Sequence, residues 1–469
     1  EIFSMGEWDY QPVFTIHDDL TLSGNMLIEL DERDTHRVSF NPNKPGQIMA
    51  AVFHGIDLGW WCPATLDYCY NAYMGDVWWY PSSPNAYYSY SENMYSIDRY
   101  EYYPEEDANP SDPSIIETDV WHDLIYVQNM ISSDVDRVVD YSQLVTKHTE
   151  YRTPITYRHS IERFGWAERW ISGDYFTAWI TYVWHLNIPA YREEIVSPDS
   201  IYFGYCEKYR DLPNHPTPWW EAYGWHHTGD PGSVEYEIWQ KAPLFSTSDM
   251  WYWKEDGGYT VNFWGHAFTN PFWLSWYTDD YKRRSSSYDI EVETWENGKL
   301  VSPDDFYSYS GYFDIYFYGV QPGTMYKVRV SANTTEEPEL MLSTKTLLEF
   351  EAKFTGDGFD QPPMLAEMNA EQADLNNTVS SRFIKLSYVL WNNTDIASTT
   401  LEYSVDDGET WRLAKVDGPI RLTSHNQKYI AEFMVRDGGE FISLRVNATS
   451  VSGYKMSSTI IRGFYVNPI

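Results

Sequence analysis

Cysteine is scarce in this chain. Three cysteines occur in 469 residues, which excludes a fold that depends on a dense disulfide framework. Cys62 and Cys69 lie close together in WWCPATLDYCY, whereas Cys206 is isolated, and this spacing matches no zinc-binding pattern. In an exported protein we expect a local disulfide between Cys62 and Cys69. The alternative is that all three are small buried apolar residues.

Basic residues are also few. Lys and Arg number 33 against 69 Asp and Glu, which gives a formal net charge of −36. Nucleic-acid binding requires clustered Lys and Arg, and an anionic membrane surface attracts basic segments, so both partners are disfavoured. Strong acidity fits a solvated outer surface, divalent cations or high external salt.

Long apolar runs are missing, and the sequence carries signs of export. No run of 18 apolar residues occurs, so we predict no transmembrane helix and no membrane insertion. The chain begins at Glu1 rather than Met, which suggests a processed product. Four N-x-S/T sequons favour a secreted protein with covalent N-glycans. Their acceptors are Asn333, Asn376, Asn392 and Asn447.

Catalytic motifs are absent as well. The sequence contains no G-x-S-x-G, no H-E-x-x-H, no P-loop, no G-x-G-x-x-G and no C-x-x-C-H, which are the signatures of several enzyme and cofactor classes. Glycoside hydrolysis needs two carboxylates, but among 69 acidic residues the pattern selects no pair. We therefore predict a protein that is not an enzyme and has no catalytic residue.

One polar cluster, LPNHPTPWWEAYGWHHTGDPG, could in principle supply a zinc or copper site. Its candidate ligands, together with a later histidine, are His215, Glu221, His226, His227, Asp230 and His266. The spacing fits no ligand motif, and adjacent histidines on a strand point to opposite faces. We favour a Trp- and Pro-rich surface loop, in which Trp219, Trp220 and Trp225 either stack on sugar rings or pack in a core.

Calcium is the ion that the composition favours, because acidic turns offer hard oxygen ligands. The candidate ligands are Asp18, Asp19, Asp31, Asp34, Asp304 and Asp305. None of them follows the EF-hand pattern, and solvated acidic loops are the more common explanation of such turns. We predict no cofactor other than, at most, Ca²⁺.

Aromatic residues are abundant, with 40 Tyr and 22 Trp. Tyr and Trp favour sheets and intersubunit contacts, because a large apolar ring packs while its polar tip stays in water. Residues 78–114 are rich in Tyr, Ser, Pro and acid without a clean period, so we predict a surface loop or inter-subunit arm. Its deletion is expected to leave folded but unassembled protein.

The fold class is predicted to be mainly β, with a few short helices at about 118–170. Apolar residues of TDVWHDLIYVQNMISSDVDRVVD and SIERFGWAERW recur at helical spacing there. After about residue 285, hairpins and alternating strands predominate, including the Asn297-Gly298 turn. We predict an N-terminal domain at 1–285, an immunoglobulin-like β-sandwich at 286–356, a linker at 357–379 and a second sandwich at 380–469.

The segment EYSVDDGETWRLAKV contains one S-x-D-x-G-x-T-W pattern. Its members are Ser404, Asp406, Gly408, Thr410 and Trp411. The pattern resembles the Asp-box hairpin, in which the Asp bonds to backbone amides across a turn and the Gly adopts a left-handed conformation. Sialidase propellers repeat this motif once per blade, whereas here it occurs once, so we interpret it as a structural turn.

The C-terminal 180 residues or so resemble immunoglobulin- or fibronectin-type modules. Similar modules occur in archaeal cell-surface proteins and in C-terminal extensions of archaeal subtilisin-like proteases, although no G-T-S-M-A nucleophile signature is present. Our leading hypothesis is a secreted subunit of an S-layer, sheath or extracellular filament that associates with copies of itself. The alternatives are a glycan-binding or glycan-hydrolysing ectodomain, or a non-catalytic region of a secreted protease. A two-lobed solute receptor is disfavoured by the scarcity of helix.

Overall fold

A computed structural model of the chain describes most of its residues. The described residues are 13–14, 34–43, 47–58, 74–78, 86–89, 94–104, 120–129, 131–152, 159–171, 174–188, 190–209, 218–239, 241–255, 257–268, 282–285, 289–309, 312–334, 342–391, 395–423, 425–436 and 440–467. Within them the chain is built of strands, with one short 3₁₀ helix at Tyr141–Gln143. The predicted mainly-β class is confirmed.

The described residues of the N-terminal half form fifteen strands. In chain order they are β1 (Val13–Phe14), β2 (Thr35–Asn41), β3 (Gln47–Leu58), β4 (Met74–Trp78), β5 (Ala86–Ser89), β6 (Met94–Pro104), β7 (Val120–Asn129), β8 (Val135–Val138), β9 (Val145–Tyr151), β10 (His159–Ile171), β11 (Asp174–Ile188), β12 (Ala190–Val196), β13 (Ser200–Tyr209), β14 (Pro218–His227) and β15 (Val234–Trp239).

Eighteen further strands follow. They are β16 (Asp249–Glu255), β17 (Gly258–His266), β18 (Lys282–Ser285), β19 (Asp289–Glu296), β20 (Lys299–Val301), β21 (Asp305–Tyr309), β22 (Tyr312–Val320), β23 (Met325–Asn333), β24 (Lys345–Lys353), β25 (Leu365–Asn369), β26 (Thr378–Val379), β27 (Phe383–Trp391), β28 (Ile396–Ser404), β29 (Arg412–Leu413), β30 (Lys415–Arg421), β31 (Gln427–Met434), β32 (Glu440–Ser450) and β33 (Lys455–Val466).

A seven-stranded mixed sheet, in the order β15-β9-β12-β7-β6-β3-β4, is the centre of the N-terminal half. A four-stranded sheet, β1-β5-β2-β8, packs on one face through Phe40, which stacks on Tyr100 with ring centroids 4.0 Å apart. Strands β10 and β11 of a five-stranded sheet, β11-β10-β13-β14-β18, also contact strands of the central sheet. The middle of the central sheet is thus buried, as the complete burial of Leu124 and Ile125 on successive positions requires.

The helices predicted at about 118–170 are wrong. Residues 120–129 and 159–171 form strands β7 and β10, and the 3₁₀ helix supplies the one helical turn of the described residues in this region. In β7 the run from Trp121 to Ile125 is buried at every position. A strand buried on both faces gives a near-continuous apolar run, and periodicity alone does not distinguish such a run from a buried helix.

The surface arm predicted at 78–114 is also wrong in its described part. Residues 94–104 form β6, which lies between β7 and β3 in the central sheet. Tyr100 and Tyr102 are almost completely buried there. Tyr100 and Tyr102 therefore pack inside their own domain rather than against another subunit.

In the C-terminal half, the regions of the two predicted sandwiches, 286–356 and 380–469, share one long sheet. This sheet has the order β20-β19-β23-β24-β33-β32-β28-β29, with β26 added beside β33. The sheet β16-β17-β22-β21 and the sheet β25-β27-β31-β30 contribute to the same continuous apolar cluster as the long sheet. Two described strands that precede residue 286, β16 and β17, therefore belong to the first sandwich.

The predicted linker at 357–379 is part of this core. It contains β25 and β26, and its side chains Met364, Leu365 and Met368 are buried in the shared apolar cluster. The chain reaches the C-terminal half through 241–248, where Ala242 N–H donates to Asn377 Oδ1 at 2.9 Å and Leu244 N–H donates to Ser343 Oγ at 2.9 Å. Residues 357–379 were predicted to be a linker because of their polar composition, but several of their apolar side chains are buried in the core.

Candidate functional site

The sheet β16-β17-β22-β21 presents aromatic side chains on its outward face. Residues whose side chains point inward, such as Val261, Phe263 and Ile315, are completely buried. Their alternate neighbours point outward because side chains alternate along a strand. The rings of this outward surface, called the ring face from here on, are Trp251, Trp253, Trp264, Tyr307, Tyr312, Tyr316 and Tyr318.

Four of these rings are strongly exposed. The exposed fractions are 47% for Trp251, 41% for Trp253, 58% for Tyr307 and 48% for Tyr318. Isolated exposed aromatics are ordinary on protein surfaces. A contiguous group of exposed aromatic rings on one sheet face is unusual, and such patches mark interaction sites.

Tyr316 lies at the centre of the ring face. Trp253 on one side and Tyr307 on the other stand at steep angles to it, with centroid distances of 6.2 and 6.0 Å and interplanar angles of 71° and 81°. Tyr318 is roughly parallel to Tyr316 at 6.4 Å. Trp264 and Tyr312, whose ring centroids are 5.9 Å apart, extend the ring face beyond this group. The rings thus form a contiguous aromatic surface that crosses the strands.

Carboxylates hold these rings in place. Trp253 Nε1 donates to Glu255 Oε1 at 2.7 Å, Tyr318 OH donates to Asp305 Oδ2 at 2.6 Å, and Tyr312 OH donates to Asp314 Oδ2 at 2.9 Å. The second oxygen of Asp314 accepts from Asn262 Nδ2 at 2.7 Å. Such charge-assisted bonds are shorter and stronger than neutral ones, so the rings are fixed before any partner arrives.

The same contacts set the protonation state of the phenols. The hydrogen bond to Asp305 raises the pKa of Tyr318 to about 12. Burial, and then the negative charge of Asp314, raises the pKa of Tyr316 above its ordinary value. Both phenols are therefore protonated and uncharged at neutral pH, and the negative charge of the ring face resides on its carboxylates.

Sequence reasoning did not single out the ring face, although a signal was present. Trp251 and Trp253 alternate in MWYWKE, and Tyr312, Tyr316 and Tyr318 share one parity in YFDIYFYGV. Period-two placement of rings on strands predicts one aromatic face. The pairing of β17 with β22, which brings the two segments together across about 50 residues, is tertiary information that the pattern lacks.

The calcium candidates have other roles where they are described. Asp304 Oδ2 accepts from the Tyr318 backbone N–H at 2.7 Å, and Asp305 binds the Tyr318 hydroxyl. Asp34 is exposed at the start of β2, while Asp18, Asp19 and Asp31 lie outside the described residues. In the part of the chain that the structure describes, no group of three or more His, Cys, Asp or Glu side chains could hold a metal ion.

The polar cluster around residue 220 is only partly described. His226, His227 and Glu221 lie in β14 and Asp230 is exposed in the following turn, while His215 lies outside the described residues. The structure places His266 at a different location, on the ring face beside Trp264 and Tyr312, with centroid distances of 6.2 and 5.5 Å. Trp219, Trp220 and Trp225 belong to β14, whose side-chain environment the structure does not describe.

A second exposed surface lies at the edge of the central sheet. Strand β15 pairs in parallel with β9, and the described residues place no strand on its other side. Val234 and Tyr236 on this strand are 56% and 78% exposed. Tyr236 lies beside His148 of β9, and His148 lies beside the exposed Tyr191 of β12, with centroid distances of 5.1 and 5.9 Å.

Beneath this edge lies a buried group of charges. Lys147 Nζ is 2.6 Å from Glu194 Oε2 and 2.5 Å from Glu237 Oε2, and all three side chains are almost completely buried. Tyr151 OH donates to Glu194 Oε1 at 2.8 Å. Since these residues come from β9, β12 and β15, the ion pairs join three adjacent strands and fix the position of the edge strand.

The Asp-box segment forms a compact turn between β28 and β29. Asp406 accepts from Ser404 Oγ at 2.6 Å and from the Thr410 backbone N–H at 2.8 Å, and Gly408 has a φ of +91°. These bonds, with that of the Thr410 hydroxyl, lower the pKa of Asp406 to about 2. Arg445 lies over the Trp411 ring at 4.3 Å. Both carboxylate oxygens of Asp406 are therefore used to hold the turn itself.

The sequon asparagines differ in accessibility. Asn376 is exposed in the turn before β26, whereas Asn333 is half-buried in β23. Asn447 lies inside β32, between β28 and β33, and its Nδ2 donates to Glu402 Oε2 at 3.2 Å. Asn392 lies outside the described residues.

The cysteine predictions also fall largely outside the described residues. Cys62 and Cys69 are not among them, and Cys206 lies in β13.

Among the described residues no helix is long and apolar enough to cross a bilayer. No protein-family model matches the chain, and no curated protein matches it either.

Proposed function

We propose that this chain is a structural subunit that associates with copies of itself through the open edge of its central sheet, and that it acts by association rather than catalysis. The observation that supports the proposal is the exposed strand β15, which carries Val234 and Tyr236 outward in an alternating V-E-Y-E-I-W sequence. Strand edges present unpaired backbone groups to solvent, and this makes them templates for pairing with another chain.

The hydrogen-bond pattern shows which backbone groups of β15 remain available. Thr146 N–H donates to Ser233 O, and Arg152 N–H donates to Trp239 O, each at 3.0 Å. In a parallel ladder the residues of one parity bond to the neighbouring strand, and those of the other parity point away from it. The backbone N–H and C=O groups of Val234, Tyr236 and Ile238 therefore point toward the open edge.

This edge lacks the features that usually prevent pairing. Natural edge strands are commonly protected by lysine, proline or a bulge, whereas β15 contains neither lysine nor proline and pairs with β9 in regular register. Its two glutamates do not protect the edge. Glu237 is buried against Lys147, and Glu235 accepts from the Gly229 N–H at 2.6 Å.

The occupant that fits best is a second copy of the same edge. Two β15 strands related by a two-fold axis would pair antiparallel, which is the isologous arrangement of most homodimers. Tyr236 would then lie near the axis and pack against its counterpart, since cross-strand aromatic pairs stabilise antiparallel ladders. The acidic remainder of the surface would oppose contacts in other orientations.

The test compares Tyr236→Lys with the parent protein by light scattering coupled to gel filtration and by negative-stain electron microscopy. We expect the parent to form dimers or larger assemblies and the variant to remain monomeric. The matched control is Val451→Lys, which places the same charge at another exposed apolar side chain, 72% exposed. Parent protein that is monomeric at all concentrations, or assembly unchanged in Tyr236→Lys, would contradict the proposal.

The setting proposed for this subunit is the outside of a cell, as a component of an S-layer, sheath or filament. The acidic composition and the sequons support it, and Asn376 is the best exposed acceptor among the described ones. The two sandwiches sharing one sheet support the proposed immunoglobulin-like character of the C-terminal half. No observation among the described residues favours a bound Ca²⁺ or a protease origin.

A further inference from the structure

The ring face is too extended to be matched by a small ligand. Four strands at a spacing of about 4.8 Å make the sheet roughly 14 Å wide, and outward rings occur on every one of its strands. The rings are also open to solvent rather than enclosed. A partner that covers this surface has to be long, and it has to present apolar patches that can stack on rings.

We propose that the ring face binds a neutral carbohydrate chain, whose sugar rings stack on Trp253, Tyr307 and Tyr316 and whose hydroxyl groups donate hydrogen bonds to the adjacent carboxylates. A pyranose ring has an apolar face of C–H groups and a rim of hydroxyl groups. An aromatic ring bordered by an acceptor complements both parts of such a sugar. The site is distinct from the β15 edge, so the proposal does not depend on self-association.

The hydrogen-bond acceptors have capacity for such a ligand. An ionised carboxylate has about four acceptor positions, and Glu255 and Asp305 each use only one oxygen in the bonds to Trp253 and Tyr318. Glu255 is exposed and Asp305 is partly exposed, each next to the ring that it holds. A hydroxyl group of a stacked sugar can therefore donate a hydrogen bond to a carboxylate that is already fixed in position.

Preorganisation strengthens the argument. A side chain that is immobilised only on binding costs roughly 0.5 to 1.5 kcal/mol of affinity. This cost does not arise for Trp253, which Glu255 already holds, and the neighbouring rings Tyr312 and Tyr318 are held in the same way by Asp314 and Asp305. Rings that merely filled a surface would not require these carboxylates. The bonds fix the ring orientations that stacking needs.

The charge of the surface excludes two other occupants. The titratable groups at the outward positions, apart from the phenols and His266, are Asp249, Glu255, Asp305 and Asp314, and no described outward position carries Lys or Arg. Anionic polymers are repelled by such a surface. The ring face of a second copy would bring the same carboxylates into opposition, so pairing of two ring faces is disfavoured as well.

A cationic partner would be attracted, and it is the competing occupant. Cation–π binding gains most where rings desolvate the cation, whereas four of the seven rings here are 41% to 58% exposed. Each of the four carboxylates also accepts a hydrogen bond from a donor of the protein itself. An open, extended and hydrogen-bonded surface favours a long neutral ligand over a point charge.

The test measures binding of the full chain to a panel of soluble neutral polysaccharides of β- and α-linked glucose, mannose, galactose and N-acetylglucosamine, by affinity gel electrophoresis and by titration of tryptophan fluorescence. Arginine-rich peptide and poly-lysine are the cationic probes, each at low and high salt. The variants are Trp253→Ala and Tyr307→Ala. The control is Phe383→Ala, an exposed ring on another sheet, 47% exposed.

We expect the parent to bind at least one neutral polysaccharide with little dependence on salt. Trp253→Ala and Tyr307→Ala should each weaken binding about tenfold or more, and Phe383→Ala should leave it unchanged. Because both substitutions are at exposed positions, circular dichroism should show the same fold. The proposal is overturned if no neutral polysaccharide binds, if both variants bind as the parent does, or if only the cationic probes bind and salt abolishes that binding.

Discussion

Lys147 and Glu237 form an ion pair between the parallel strands β9 and β15, with Nζ 2.5 Å from Oε2 and both side chains almost completely buried. The same ammonium group contacts Glu194 of β12. A buried charge is tolerated when it is paired and hydrogen-bonded, and removing one partner leaves the other uncompensated.

Replacing Lys147 with Met should therefore destabilise the protein by about 3 to 5 kcal/mol, because two buried carboxylates lose their cation. The measurement is the midpoint of urea unfolding followed by circular dichroism. The control is Lys415→Met, which breaks an exposed pair with Asp417 and should not change the midpoint. The triple variant Lys147→Met, Glu194→Gln, Glu237→Gln should recover part of the loss. Equal midpoints for Lys147→Met and the parent would refute this account.

Removal of residues 94–104 should abolish folding of the N-terminal half rather than release unassembled subunits. These residues form β6, a central strand with neighbours on both sides, and its loss would expose the apolar side chains that pack on Tyr100 and Tyr102. Limited proteolysis should show rapid digestion of residues before 241. A protease-resistant deletion variant of normal strand content would show that β6 is dispensable.

Asp406 should make a pH-dependent contribution to stability. Its pKa in the folded protein is about 2, below the ordinary value of about 3.9 in an unfolded chain. A depressed carboxyl pKa stabilises the folded state above the unfolded value, and that stabilisation is lost as pH falls toward the folded value. The urea midpoints of the parent and Asp406→Asn should thus differ at pH 6 and converge between about pH 4 and pH 2. A constant difference over that range would argue against the assignment.

Glycan occupancy should follow accessibility if the chain is exported. Asn376 is exposed in a turn, so we expect it to be modified, and we expect Asn447 to be unmodified because its amide donates to Glu402 within a strand paired on both sides. Glycopeptide mass spectrometry of material from the native source measures both sites directly. The reverse order of occupancy would mean that the acceptor asparagines are modified before the strands pair.

Local patterns predicted the strand-rich class, because turns and period-two alternation are encoded over a few residues. The Asn297-Gly298 turn joins β19 and β20 as expected, with both residues at positive φ. Such local geometry does not depend on distant parts of the chain, and a short sequence window is sufficient to detect it.

Long-range burial could not be predicted in the same way. In VTKHTEY the period-two pattern places Lys147 on one face with Val145 and Tyr151, and a sequence alone assigns that lysine to solvent. The structure buries it because carboxylates from two other strands meet it. The ring face has the same origin, since Trp253 and Tyr316 become neighbours only after β16, β17 and β22 pair.

The pairing of β24 with β33 has a mechanical consequence. Six residue pairs, from Lys345–Ile461 to Phe350–Met456, join the two sandwiches edge to edge. A pull along these strands loads all of their hydrogen bonds in shear together, whereas a flexible tether would let each module extend in turn. The strands of the C-terminal half should therefore resist extension together, and this would suit the load-bearing role that we propose for the subunit.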